Sequence, residues 1–146
     1  FRRAFDQFDA EKIARYSDAD RARLMADAGI VRNRLKIEAG IDNARAYLKL
    51  ADRQSLSSFL WDFFDGKPIV NQRQRHGDIP AETELSKRIS KELKREGFRF
   101  VGPTTVYAFM QSSGMVNDHL ADCHRHGPCC DLMNKLKLPK SSHGKA

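Results

Sequence analysis

Two short stretches carry residue types and spacings that could do chemistry. His119 and Cys123 stand four residues apart, a spacing that puts both side chains on one face of a helix. Imidazole and thiol are both good zinc ligands, but a structural zinc site uses four. On spacing alone the pair is therefore an incomplete site. Just upstream runs 100-FVGPTT-105. Gly102 has no Cβ, so backbone there can come close to a ligand. Pro103 suits the first position of a helix, which sets the amides around Gly102, Thr104 and Thr105 at a helix N-terminus, where the dipole favours an anion. The hydroxyls of Thr104 and Thr105 add donors, Val101 completes the turn, and Lys94, Arg95 and Arg99 flank it. These features fit a backbone phosphate gripped without any reading of base sequence. A plain αα-hairpin whose glycine only caps fits them as well.

The chain's charge agrees with a polyanionic partner. Its 26 Lys and Arg exceed its 19 Asp and Glu, leaving a net charge of +7, which favours nucleic acid ahead of a membrane surface. An ordinary basic protein has the same balance. Cys123, Cys129 and Cys130 are an odd, clustered set, which reads as thiols or metal ligands and not as a disulfide framework. With His124 and His126, the last two could complete an improvised site begun by His119 and Cys123, although 124-HRHGPCC-130 reads more simply as a flexible tail with reactive thiols. No apolar run approaches the ~20 residues of a membrane span and no signal peptide is visible, so a cytoplasmic, monomeric protein without membrane contact is expected. The chain opens on Phe1, and 1-FRRAFDQF-8 reads like the end of a helix. The expectation is a fragment lacking its natural N-terminus.

The elements that must position these residues are helical throughout. Asp9 is placed to cap a helix over 10–16, with Phe8 and Ile13 as a hydrophobic staple. Ser17 or Asp18 caps a second helix that stops at Gly29. From Asn33, the recurrence of Ile37, Ile41, Ala44 and Leu48 makes one buried stripe on a long helix, and Gly40 inside it marks close packing. A short aromatic helix over 57–65 ends at Gly66. The polar stretch 66–83, punctuated by Gly and Pro, reads as a long loop of the functional or mobile kind. Thr83 caps the next helix, where Leu85, Ile89 and Leu93 repeat until Gly97. Pro103 opens another, with Val106, Phe109 and Met110 facing inward until Gly114. No alternating strand pattern is present. The fold class is all-α, with a helical domain over 1–126, a helix-hairpin-helix at about 84–114 and a flexible basic tail over 127–146.

The run 98-FRFVGPTTVYAFMQSSGMVNDHLADC-123 resembles the C-terminal signature of the DNA-3-methyladenine glycosylase I family, a branch of the helix-hairpin-helix glycosylases. The stretches 26-ADAGIVRNRLKIEAGIDNARAYL-48, 59-FLWDFF-64 and 84-ELSKRISKELKREGF-98 are similar to the same family, so the resemblance covers about 1–126. It implies base-excision repair in the bacterial nucleoid: an alkylated base is flipped out of duplex DNA and its N-glycosidic bond is hydrolysed. Methylation at N3 makes adenine cationic and a better leaving group, so recognition and desolvation of the flipped base outweigh its protonation. DNA contact would fall to Val101, Gly102, Thr104, Thr105 and Arg99. The alternatives are a non-catalytic helix-hairpin-helix DNA-binding module and, more remotely, a small zinc-stabilised interaction domain.

The resemblance also says what this chain should lack. The family's base-binding glutamate and aromatic residues lie upstream of the position matching Phe1, so no catalytic residue carries over and the fragment alone is expected to be inactive. Many hairpin glycosylases place a catalytic aspartate where Asp118 lies, but this family is not understood to use it, and Asp118 is read as the cap of a helix carrying His119. The run 117-NDHLADC-123 matches the family's second pair of zinc ligands. That implies a structural Zn2+ held by His119 and Cys123, with the other half of the site, a cysteine and a histidine, near the N-terminus this fragment is expected to lack.

Overall fold

Capping side chains open four helices where the sequence places them. In the computed structural model, which describes residues 1–139, α1 (Ala10–Ala14) starts at Asp9, whose carboxylate accepts from the Lys12 amide. α2 (Asp18–Ala26) starts at Ser17, locked in a reciprocal capping box with Asp20. α3 (Arg34–Ala51) starts at Asn33, which accepts from the Lys36 amide. α4 (Leu56–Trp61) is short. α5 (Glu84–Arg95) follows Thr83, whose Oγ1 accepts from the Ser86 amide while the Thr83 amide donates to Ser86 Oγ. Each cap satisfies an amide that the first helical turn leaves without an intrahelical acceptor.

The chain divides into two units. The first comprises residues 1–56 and 92–101, with a core of Phe5, Ile13, Tyr16, Leu24, Ile30, Ile37, Ile41 and Ala44. The stripe on α3 buries Ile37, Ile41 and Ala44 as expected, but Leu48 is only half-buried and the stripe continues through Ala46 and Leu50. Gly40 does mark close packing: a Cβ there would lie 3.3 Å from Phe5 Cε1. The expected Phe8–Ile13 staple does not form. Asp6, Gln7 and Phe8 all have positive φ, which turns Phe8 outward to 59% exposure while Ile13 is buried without it.

The second unit comprises 57–91 and the residues from 102 onward. In α6 (Pro103–Ser112) Pro103 occupies the first turn as expected. Val106 and Met110 face inward, but Phe109 is 47% exposed and Tyr107 is buried in its stead. Two strands, β1 (Ile69–Val70) and β2 (Val116–Asn117), pair in parallel, Ile69 with Val116 and Val70 with Asn117. An isolated bridge between Arg73 and Leu120 continues the contact. The 66–83 stretch is therefore not wholly a loop, although two-residue strands leave the all-α class intact.

Two expectations after β2 are corrected. No helix carries His119; residues 118–125 run as bends and turns around the Leu120 bridge, where the Ala121 amide donates to the Arg73 carbonyl in place of an intrahelical acceptor. Further on, α7 (His126–Asn134) replaces the first part of the expected flexible tail. It buries His126 and Met133 and is pinned by the Asn117 side-chain amide, which donates to the His126 carbonyl at 3.0 Å. Residues 140–146 of that expected tail lie outside the described residues. Among the described residues no helix is long and apolar enough to cross a membrane.

Candidate nucleic-acid hairpin and metal-ligand pair

α5 stops in a tight reversal at Gly97, whose φ of +96° lies where side chains are strained. The Phe98 amide donates to the Leu93 carbonyl and the Gly97 amide to that of Lys94, the two bonds of a Schellman stop. The chain then leaves through Arg99, Phe100 and Val101. The side-chain amide of Asn43 clasps Arg99 by its backbone: Oδ1 accepts from the Arg99 N–H at 2.7 Å and Nδ2 donates to the Arg99 carbonyl at 3.1 Å. Phe100 follows with φ +57°, a left-handed conformation costing a side-chain-bearing residue about 1–2 kcal/mol. Its ring is 53% exposed.

Gly102 is the N-cap of α6, with φ −63° and ψ 160°, a conformation open to every residue type. A Cβ at Gly102 would meet nothing within 4 Å. Neither backbone geometry nor internal packing thus requires the glycine. No side chain caps α6, and Pro103 has no N–H, so the first-turn amides of Thr104 and Thr105 face an N-terminus without a protein acceptor on its cap. Both threonines are exposed and Val101 is half-buried. The Thr104 hydroxyl donates to Glu82 at 3.4 Å. Of the flanking cations, Arg99 is held by Asp42 at 2.6 Å and Arg95 by Glu92 at 2.5 Å; Lys94 stands exposed.

Asp118 caps nothing. Asn117 makes the local turn contact instead, its Oδ1 accepting from the His119 amide at 3.2 Å. The Asp118 side chain is 5% exposed and gathers four donors. Oδ1 accepts from Asn71 Nδ2 at 2.7 Å and Arg73 Nε at 3.0 Å. Oδ2 accepts from the Tyr107 hydroxyl and from Gln111 Nε2 at 2.9 Å. Burial pushes this carboxyl up, but hydrogen bonds from Tyr107, Gln111, Arg73 and Asn71 outweigh it and hold the group below the ordinary carboxylate range. Desolvation, then the bond to Asp118, pushes the Tyr107 phenol up to about 12. Asp118 is ionised, and its lone-pair positions are filled from within the protein.

The metal-ligand pair meets without its helix. His119 Nδ1 and Cys123 Sγ lie 3.7 Å apart, close to the roughly 3.5 Å separating nitrogen and sulfur on one tetrahedral zinc with bonds of about 2.0 and 2.3 Å. These two residues therefore fit one edge of a zinc tetrahedron. Among the described residues, no group of three or more His, Cys, Asp and Glu side chains could hold a metal. The improvised set suggested by His124, His126, Cys129 and Cys130 does not assemble. His126 Nε2 bonds the Asn71 carbonyl at 2.9 Å, and Cys130 Sγ lies 3.3 Å from Asn117 Nδ2 and 3.8 Å from His126 Nδ1. His119 and Cys129 also line an open groove of about 470 Å³ with Leu132, Met133 and Leu136; its lining carries no carboxylate.

Sequence reading missed the donors around Asp118. Asn71, Arg73, Tyr107 and Gln111 gave no signal, because they converge on Asp118 from separate segments.

Two helices joined by a Schellman stop, the second uncapped and led by a glycine, make a helix-hairpin-helix. The chain belongs to the methyladenine glycosylase family, whose family model matches residues 1–126. It is 47% identical over 130 residues to the DNA-3-methyladenine glycosylase of Haemophilus influenzae, covering 88% of this chain and 68% of that protein. To DNA-3-methyladenine glycosylase 1 of Escherichia coli K12 it is 44% identical over 136 residues, covering 92% and 70%. It superposes on a crystal structure of 3-methyladenine DNA glycosylase I with a TM-score of 0.82 at 43% identity, covering 86% of this chain and 69% of the other.

Proposed function

We propose that this protein is a DNA-3-methyladenine glycosylase, which hydrolyses the N-glycosidic bond of 3-methyladenine in alkylated double-stranded DNA. Family membership and relatives named for this reaction support the activity. The base leaves with the electrons of the glycosidic bond, and its N3-methyl cationic charge makes it a neutral product; water supplies the oxygen at C1′. The part of this chain is to hold the duplex while the base is out of the stack, a state that costs a few kcal/mol. Asp118, with its lone pairs filled from within, is not the base that activates the water.

The observation that carries the DNA-binding part is Gly102, a glycine that neither the backbone nor the packing asks for, at the mouth of an uncapped helix. Its missing side chain leaves room for a phosphate outside the protein, with the amides at Thr104 and Thr105 as donors. Gly102→Val should weaken binding to every duplex about tenfold or more without regard to sequence, while the melting temperature stays unchanged. Affinity of the parent should fall with salt at a log–log slope near −0.9 for each phosphate neutralised. A Gly102→Val protein that binds DNA as tightly as the parent would refute the phosphate role.

His119 and Cys123 would hold half of a structural zinc site, and the family resemblance implies a cysteine and a histidine as its other half. A zinc ion there would supply a crosslink between its two ligand pairs and no step of the reaction. In a chain of the length of the curated relatives, His119→Ala and Cys123→Ser should each lower zinc content and melting temperature, while base release at low temperature is largely kept. Metal analysis showing the parent's full zinc content in both variants would overturn the assignment.

A further inference from the structure

Cys130 has surroundings that a spectator thiol does not need. Its half-buried sulfur lies 3.8 Å from His126 Nδ1 and 3.3 Å from Asn117 Nδ2. What each neighbour offers is fixed by its other bonds. His126 Nε2 lies 2.9 Å from the Asn71 carbonyl, which only accepts. The neutral ring therefore carries its proton on Nε2 and turns a bare lone pair at Nδ1 toward the sulfur. Asn117 is 2% exposed. Its Oδ1 accepts from the His119 amide and its Nδ2 donates to the His126 carbonyl, so the group facing the sulfur is an N–H. Cys130 thus sits between a base that can take the thiol proton and a donor that suits negative charge on sulfur. A nucleophile within reach of a base, itself oriented by a third group, is the arrangement that activates a thiol. All four residues belong to the second unit.

Cys129 supplies the contrast. It is the preceding residue of α7 and is also half-buried, but successive helical side chains point about 100° apart, and Cys129 lines the apolar groove with Leu132 and Leu136. We propose that Cys130 is a modification site for hydroperoxides, oxidised to a sulfenic acid with His126 as the base. The sulfur attacks the nearer peroxide oxygen as the S–H proton passes to His126 Nδ1. An S–O bond forms and the O–O bond breaks. The far oxygen leaves as hydroxide with the bond electrons and collects the proton from His126 as water. Sulfur is oxidised and the peroxide is reduced, each by two electrons. Through the transfer the Asn71 carbonyl keeps its bond from Nε2–H, which steadies the charged ring.

The test treats the folded, reduced chain with substoichiometric hydrogen peroxide and traps sulfenic acid with dimedone. Fragmentation mass spectrometry then separates label on Cys130 from label on Cys129. In the folded protein Cys130 should carry at least about tenfold more, since a positioned base supplies that much and more. In urea the neighbours are gone, and the two thiols should label within about twofold of each other. His126→Gln keeps a donor for the Asn71 carbonyl but has no base, so it should bring Cys130 down to the level of Cys129, with the fold checked by circular dichroism. Equal labelling of the two cysteines in the folded parent overturns the proposal. So does a Cys130 preference that persists in urea or in a folded His126→Gln protein. Should His126→Gln fail to fold, the ratio of folded to urea labelling in the parent decides.

Discussion

At Asp118 four donors from Asn71, Arg73, Tyr107 and Gln111 fill the carboxylate from inside the protein. At the α6 N-terminus no side chain caps the helix, and a Cβ on the glycine that leads it would meet nothing within 4 Å. Both places collect polar groups of the kind that bind charge. The difference lies in whether their hydrogen-bonding capacity is already used. A carboxylate with every lone pair filled is a strut, whatever its position in the sequence suggests about catalysis. A helix end with no side-chain cap and an unforced glycine leaves its first-turn amides free for the phosphate proposed above.

The largest effect that could break this contrast is at Asp118. Asp118→Asn puts an amide where two donors point and removes the charge facing Arg73, so stability should drop by about 3 kcal/mol, read as a lower urea midpoint. A change below about 1 kcal/mol would mean that the four bonds are not a strut. The pH dependence of stability reads the same link. The folded carboxyl lies below its ordinary range, so the unfolded chain binds more protons in acid and stability rises with pH there. The contribution is complete above the unfolded value near 3.9 and disappears as pH falls through the folded one. The parent should lose stability across that acid window more steeply than Asp118→Asn; parallel curves would contradict it. The smallest effect belongs to the hairpin. Gly102→Val should alter the folding free energy by no more than about 0.5 kcal/mol, and a larger loss by urea titration would mean that the glycine serves the fold.

Much of the helical framework was legible because its signals are local. The caps at Asp9, Ser17 and Thr83 act on an amide or a side chain three residues away, and Pro103 at the start of α6 is set by its own ring. The same local reading went astray where tertiary contacts outweighed it. Phe109 fits the inward stripe of α6, yet Tyr107 takes the buried place and its hydroxyl reaches Asp118. Pairing with Arg73 withdrew His119 from a helix, although the His119–Cys123 approach survived the change of backbone.

By itself, then, the sequence determined the all-α class, the starts of α1, α2, α5 and α6, and the glycine-led turn before α6, since each follows from residues within one or two helical turns of one another. Only the tertiary structure decided that Asp118 is a strut, that β1 and β2 pair across 46 or more residues of chain, and that the space beside Gly102 is open. Those three facts depend on which distant groups arrive at a point and which do not. No window of sequence contains that information, because the free energy of a buried charge or a vacant surface is set by neighbours in space.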